Sequence, residues 1–189
     1  YEAGFDLNFS ENINLSLAYF KRNVENVIDF GQIVPGKYAY INQNQQKDKG
    51  FEVELGFKPV SYIDLKAFYA FVDGEVSTPT NTAFNLFRRP KNSYGLNASF
   101  EVSKALSLNL IYKHTGERRD RYFDNSTFKT LEAELGSFNM LDAYLQYKPA
   151  DRLTLFTDIK NILDENYTEF SGYQTKGLNF NAGFRLEIR

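Results

Sequence analysis

The feature that most constrains this chain is an alternation. In nine separate stretches of about nine residues, every second position is apolar or aromatic, with one threonine as the exception. These sets are Tyr1–Phe9, Ile13–Tyr19, Phe51–Phe57, Ile63–Phe71, Tyr94–Phe100, Leu106–Tyr112, Leu141–Tyr147, Leu153–Ile159 and Leu178–Ile188. None of the alternating positions is charged. The opposite phase carries Glu2, Asp6, Asn8, Glu52, Glu54, Asp64, Lys66, Asn97, Asn109, Asp142, Gln146 and Asp158. Because successive strand side chains point to opposite faces, each stretch reads as a strand with one apolar and one polar face.

The connections between strands are of two kinds. Ser10–Asn12, Lys58–Tyr62, Glu101–Ala105 and Lys148–Arg152 are short turns, two of them containing Pro59 or Pro149. The alternate connections, within 20–50, 72–93, 113–140 and 160–177, are long and polar. Short turns at one end and long loops at the other predict an antiparallel up-and-down meander. Aromatic residues sit near both ends of the stripes: Phe9, Phe57, Phe100 and Tyr147 on the short-turn side, Tyr19, Phe71 and Tyr112 on the other. Two interfacial girdles would look like this.

A soluble β-sandwich also alternates, but its strands typically run about 5–6 residues and its two ends do not differ systematically. A membrane gives charge exclusion a cause, since an outward Lys or Arg at mid-bilayer costs about 2–4 kcal/mol. Mean hydropathy is negative, at −0.46, as one-faced strands allow. No run approaches the roughly 18 apolar residues of a membrane helix. The expected fold is therefore all-β, an antiparallel up-and-down transmembrane β-barrel.

About nine strands are legible, and a single-chain bacterial barrel has an even number. Nine would leave two strand edges unpaired in lipid. Residues 1–189 are thus expected to be the C-terminal part of a larger barrel. Arg189 falls on the polar face, and position 190 is expected to return to the lipid face as an aromatic residue, Phe above others.

The tail "DIKNILDENYTEFSGYQTKGLNFNAGFRLEI" (158–188) resembles the closing strands of TonB-dependent outer-membrane receptors. The matching residues are Asn161, Ile162, Leu163, Asp164, Tyr167, Gly172, Tyr173 and Gly177. "FRRPKNSYGLNASF" (87–100), "YKHTGERRDRYFD" (112–124) and "FNMLDAYLQYKPADRLTLFTDIKN" (138–161) resemble the same family in order and spacing. Within it, the cobalamin and ferric-siderophore receptors are the most similar group. The resemblance implies the last nine or so of about 22 strands, around a plugged lumen. It also implies a Gram-negative outer-membrane location and active transport of a scarce, large ligand, cobalamin or a ferric siderophore. TonB would be the partner, acting through an N-terminal box upstream of this chain. A passive porin or adhesion barrel, or a soluble all-β binding domain, are the alternatives.

Little in the sequence suggests an enzyme. The single histidine, His114, shares the outward phase of Leu110 and Tyr112, and no nucleophile elbow, phosphate loop or zinc pair is present. With no cysteine and a net charge of −2, neither thiol chemistry nor nucleic-acid binding is suggested, and no metal or cofactor is expected. Candidate ligand-binding residues lie in the long connections: Tyr38, Tyr40, Asn42, Arg89, Arg118, Arg119, Arg121, Tyr122, Tyr173 and Gln174. Arginine suits bidentate binding of anions, and Tyr with Asn or Gln suits a large polar ligand. The same basic loop residues could instead be solvated or touch lipopolysaccharide phosphates. By phase, Arg89 and Lys91 are expected to face the lumen.

Overall fold

The computed structural model describes residues 1–77, 82–84 and 87–188, with side chains described throughout except at 29–32, 38, 43, 44, 82–84 and 130. Every regular element among them is a strand: β1 (Glu2–Ser10), β2 (Ile13–Val34), β3 (Lys37–Val60), β4 (Ile63–Ser77), β5 (Thr82–Phe84), β6 (Asn92–Glu101), β7 (Leu106–Thr115), β8 (Arg118–Asp124), β9 (Lys129–Leu135), β10 (Phe138–Ala150), β11 (Leu153–Lys160) and β12 (Asn179–Leu186). Nine form one antiparallel path, β1-β2-β3-β4-β6-β7-β10-β11-β12. The short β5 pairs with the upper part of β4, and β8 pairs with β9 as a separate hairpin.

The register keeps the two faces distinct across the path. One rung reads Leu7↔Leu15↔Leu55↔Ala67↔Leu96↔Tyr112↔Leu141. The next reads Asn8↔Asn14↔Gly56↔Lys66↔Asn97↔Ile111↔Asp142. Among the described residues the apolar face packs against no protein layer. Phe5, Phe9 and Phe184 are 56%, 65% and 70% exposed, and the buried hydrophobic residues among those described are only Ala98, Leu135, Phe138 and Ala143. So large an exposed apolar surface needs another phase to cover it, and a lipid bilayer is that phase.

At the short-turn end the chain reverses over two to four residues, and the ladder slips between Phe57 and Val60 and between Tyr147 and Ala150. Pro59 and Pro149 sit in these irregularities, where their missing N–H costs the ladder nothing. At the far end an aromatic belt is pinned by asparagines. The Tyr69 hydroxyl donates to Asn92 Oδ1 (2.7 Å) and the Tyr112 hydroxyl to Asn139 Oδ1 (2.8 Å). His114 lies stacked on Tyr94 with centroids 4.6 Å apart, its Nδ1 2.9 Å from the same Asn139 oxygen. This is the outward, interfacial placement its phase predicts.

Two departures from the sequence reading stand out. The connection at 20–50 is strand rather than loop: β2 and β3, of 22 and 24 residues, continue past the aromatic belt as a two-stranded ribbon. Slips between Val24 and Val27 and between Val27 and Ile28, with Asn26 at φ 58°, mark its bend. Lys91 also departs from its phase. β6 begins only at Asn92, so alternation does not govern Lys91, and its ammonium lies 3.1 Å from Asp73 and 5.9 Å from the Phe71 ring centre, on the apolar face. Arg89 does turn to the polar face. Regular β12 ends at Leu186, and the expectation for Arg189 lies outside the described residues.

On the polar face, glycines are overlain by the large side chain directly across the ladder. Phe20 pairs with Gly50, Phe68 with Gly95 and Phe156 with Gly183. A β-carbon at Gly95 would meet the Phe68 ring and the Tyr112 carbonyl, each at 2.6 Å, and one at Gly183 the Phe156 ring at 2.7 Å. Aromatic rings laid over glycines pin register while allowing the sheet to coil.

Candidate ligand-binding site on the polar face

Above the wall, three connections fold onto the polar ends of β6, β7 and β10. On these strands Ser93↔Thr115↔Phe138, Gly95↔Lys113↔Met140 and Asn97↔Ile111↔Asp142 share rungs on the polar face. Arg88, Pro90, Tyr167, Glu169 and Phe170 close over them, leaving a cavity of about 470 Å³. Arg118 and Phe138 are buried in its wall.

A buried carboxylate organises this layer. Asp120 is 0% exposed and accepts from Arg88 Nε (2.5 Å), the Arg121 amide (2.8 Å) and the Ser171 amide (2.7 Å). It thereby ties together segment 87–91, the β8–β9 hairpin and the 161–178 connection. Burial alone would raise its pKa, but the hydrogen bonds and the Arg88 charge outweigh it and hold the pKa below the usual carboxylate range. Arg88 supports the junction with its own backbone, at φ 62°, and its amide donates to the Arg119 carbonyl at 2.6 Å. Arg88 also stacks over Phe170, at 4.9 Å.

The predicted arginines therefore divide by role. Arg118 is 5% exposed, lies 5.0 Å over the Phe138 ring and donates to the Thr168 carbonyl at 2.5 Å. Burial lowers its pKa, opposed by Glu169 and Asp120. Arg119 lies 3.7 Å from Glu134, and Arg121 3.3 Å from Glu132 and 4.2 Å over Phe87. Arg89 belongs to a neighbouring cluster, 3.7 Å from Asp48. That carboxylate, on a residue 4% exposed, also receives Arg22 at 2.7 and 2.9 Å and Gln46 at 2.7 Å. Tyr122 faces Leu131 in the β8–β9 ladder. Tyr38, Tyr40 and Asn42 lie along the ribbon opposite Gln32, Phe30 and Ile28, with the Tyr38 side chain outside those described. Tyr173 is 75% exposed beside the turn at Gly172 (φ 85°), and Gln174 follows it.

Of the thirteen residues that line the cavity, only Arg118 is among the sequence candidates. Lys113 lies on the polar phase of β7, between Gly95 and Met140, and is exposed, with no ion pair among the described residues. In sequence it stands shortly before the loop arginines Arg118, Arg119 and Arg121. Its strand phase, shared with Ile111, was the signal that sets it apart.

The comparisons with known proteins follow the same geometry. Residues 1–162 match the family model described as TonB dependent receptor-like, beta-barrel. The chain belongs to this family. A TonB-dependent receptor barrel resides in the outer membrane of Gram-negative bacteria, in keeping with a sheet that has one face for lipid. Among solved structures, the ferripyoverdine receptor of the Pseudomonas aeruginosa outer membrane, bound to ferripyoverdine, matches with TM-score 0.76 and 19% identity, over 98% of this chain and 26% of that one. The siderophore receptor PiuA from Acinetobacter baumannii gives 0.72 and 20%, over 98% and 28%. The FrpB iron transporter from Neisseria meningitidis gives 0.74 and 12%, over 98% and 30%. The chain thus spans under a third of each of these receptors, and the likeness is one of fold.

The receptor tail resemblance has a structural reason. Asn161, 0% exposed at φ 52°, accepts from the Glu165 amide (2.9 Å) and donates to the Glu165 and Lys176 carbonyls (3.0 and 3.3 Å). Asp164, at φ 49°, accepts the Leu178 amide at 2.8 Å. Tyr167 stacks on Phe138 with centroids 4.3 Å apart, and burial raises its pKa, with Glu169 and Asp142 adding to the shift. The Asn-x-x-Asp-x-x-Tyr residues tie the last long connection to the wall. They shape the cavity from behind rather than reach into it, Tyr167 excepted.

Proposed function

We propose that this chain is the C-terminal part of the barrel of a TonB-dependent receptor that takes up a ferric siderophore of net negative charge. The observation that carries the reading is the cavity on the polar face, where Lys113, without an ion pair among the described residues, joins Arg88, Arg118, Tyr167 and Phe170, and the three cations outnumber the two carboxylates of the lining, Asp142 and Glu169. Such a site combines charge attraction with flat aromatic contact, the chemistry that an anionic chelate rich in aromatic or amide groups requires. The exposed Tyr40, Asn42, Tyr173 and Gln174 would add contacts from the ribbon and the last connection. The remaining strands, a plug and a TonB box would come from upstream sequence. Energy from TonB answers a kinetic need, since a ligand caught at high dilution leaves slowly unaided.

A corrinoid is the neighbouring ligand class, and the two are separable. Equilibrium binding to the intact receptor should favour anionic ferric siderophores over cyanocobalamin. Lys113→Gln should weaken the siderophore about tenfold, the loss of one charge-assisted hydrogen bond. Equal affinity of wild type and variant for every anionic carrier would refute the assignment.

A further inference from the structure

We propose that Lys21, Lys47, Lys49 and Lys91 form a binding surface, on the outside of the wall, for the phosphate groups of a phosphorylated lipid of the outer leaflet. The inference rests on the outer-membrane barrel reading and not on the identity of the transported ligand. The last aromatic rung of the apolar face at this place is Tyr19↔Phe51↔Phe71, with the Phe51 ring 5.6 Å from Phe71 and 5.7 Å from Tyr69. Two residues further along, on the same face, the rung is Lys21↔Lys49↔Asp73, and the next is Asn23↔Lys47↔Glu75. Each step of two residues rises about 7 Å. The lysines therefore begin one rung above rings that mark the edge of the hydrocarbon, at the depth of lipid headgroups.

Two features single this patch out from ordinary surface charge. Lys21 and Lys49 are directly opposite each other in the ladder, a like-charge pairing that destabilises a sheet unless an anion stands between them. Lys91, just ahead of β6, joins them, its ammonium 5.9 Å from the Phe71 ring centre and 3.1 Å from Asp73. All four lysines are exposed. Four ammonium groups thus face two carboxylates, Asp73 and Glu75, in a chain whose net charge is −2. A phosphomonoester on a lipid anchored beside the aromatic belt reaches between Lys21 and Lys49 without leaving the membrane, and its acyl chains lie along the exposed apolar strands below.

The test uses the intact receptor in phosphatidylethanolamine nanodiscs, with lipid binding read by native mass spectrometry. The probes are bisphosphorylated lipid A, the same lipid A stripped of phosphate, and inorganic phosphate. The wild type should bind bisphosphorylated lipid A well above the stripped form, and inorganic phosphate weakly. The triple variant Lys21→Gln, Lys47→Gln, Lys49→Gln should lose about a hundredfold, each lysine contributing roughly a fivefold factor. The corresponding triple arginine variant should retain binding, Asp73→Asn should strengthen it, and Lys66→Gln on the polar face should leave it unchanged. Equal binding of the stripped lipid, unaltered binding by the glutamine triple, or inorganic phosphate binding as tightly as the lipid would each overturn the proposal. If the glutamine triple fails to show the heat-modifiable band of a folded barrel, Asp73→Asn decides alone: no gain in phosphorylated-lipid binding would refute it.

Discussion

At the scale of single residues, two buried polar groups hold the layer above the wall, and each can be tested separately. Asp120 has a folded-state pKa below its unfolded value. Its contribution is therefore present above the ordinary carboxylate pKa of about 3.9 and is lost as pH falls through the folded value. The protection of the Ser171 and Arg121 amides against hydrogen exchange, taken relative to the intrinsic rate at each pH, should be high at neutral pH and fall in that acid range. Asp120→Asn should bring that loss of protection to pH 7, at a cost of about 2–3 kcal/mol, because one accepted charge-assisted hydrogen bond becomes a clash of donors. Unchanged Ser171 protection would mean that the carboxylate does not join the two connections. Asn161 differs in kind. Asn161→Gly keeps the positive φ but loses the side-chain bonds, whereas Asn161→Ala loses both, so Ala should be the worse by about 1 kcal/mol. Thermal denaturation of the two variants checks the order. The sequence displayed Asn161 as part of a family pattern, but its left-handed backbone and its reach to Lys176 are products of folding. Asp120 carried no sequence signal beyond standing among arginines.

At the scale of elements, period-two alternation revealed the nine wall strands, their order and their short turns, because a lipid-facing stripe is written directly into side-chain chemistry. Where a strand leaves the bilayer that stripe stops, and with it the signal. Thus β2 and β3 run on through polar sequence as a ribbon, and β8 and β9 pair within a segment read as loop. The aromatic-over-glycine pairs were equally hidden, because Phe68 and Gly95 are neighbours only through the ladder. Gly95→Ala should destabilise the barrel by about 1–3 kcal/mol, since the new methyl meets both the Phe68 ring and the Tyr112 carbonyl. Phe68→Leu should recover part of that loss in the double variant while costing stability alone. Midpoints of heat modifiability for the four proteins give the cycle, and strict additivity would show that ring and glycine are not coupled.

At the scale of the whole molecule, the same alternation makes one surface for lipid and one for water. The chain's lack of cysteine makes this division measurable. Single cysteines placed at Asn109 and Leu110, and at Asn181 and Ala182, sample adjacent positions on β7 and β12 with opposite phases. In the intact receptor in outer membranes, a small charged thiol reagent should modify Asn109→Cys and Asn181→Cys, whose thiolates contact water. Leu110→Cys and Ala182→Cys should stay unmodified, since the reactive thiolate does not form in hydrocarbon. The β12 pair carries the greater weight. β12 has β11 on one side and, among the described residues, no partner on the other, yet unpaired backbone groups in lipid cost several kcal/mol each. A closed barrel must therefore seat another strand against that edge, holding Asn181 inward and Ala182 outward. Labelling that alternates at β7 but not at β12 would mean that the closing strand does not keep this register. Labelling that alternates at neither would remove the membrane barrel itself.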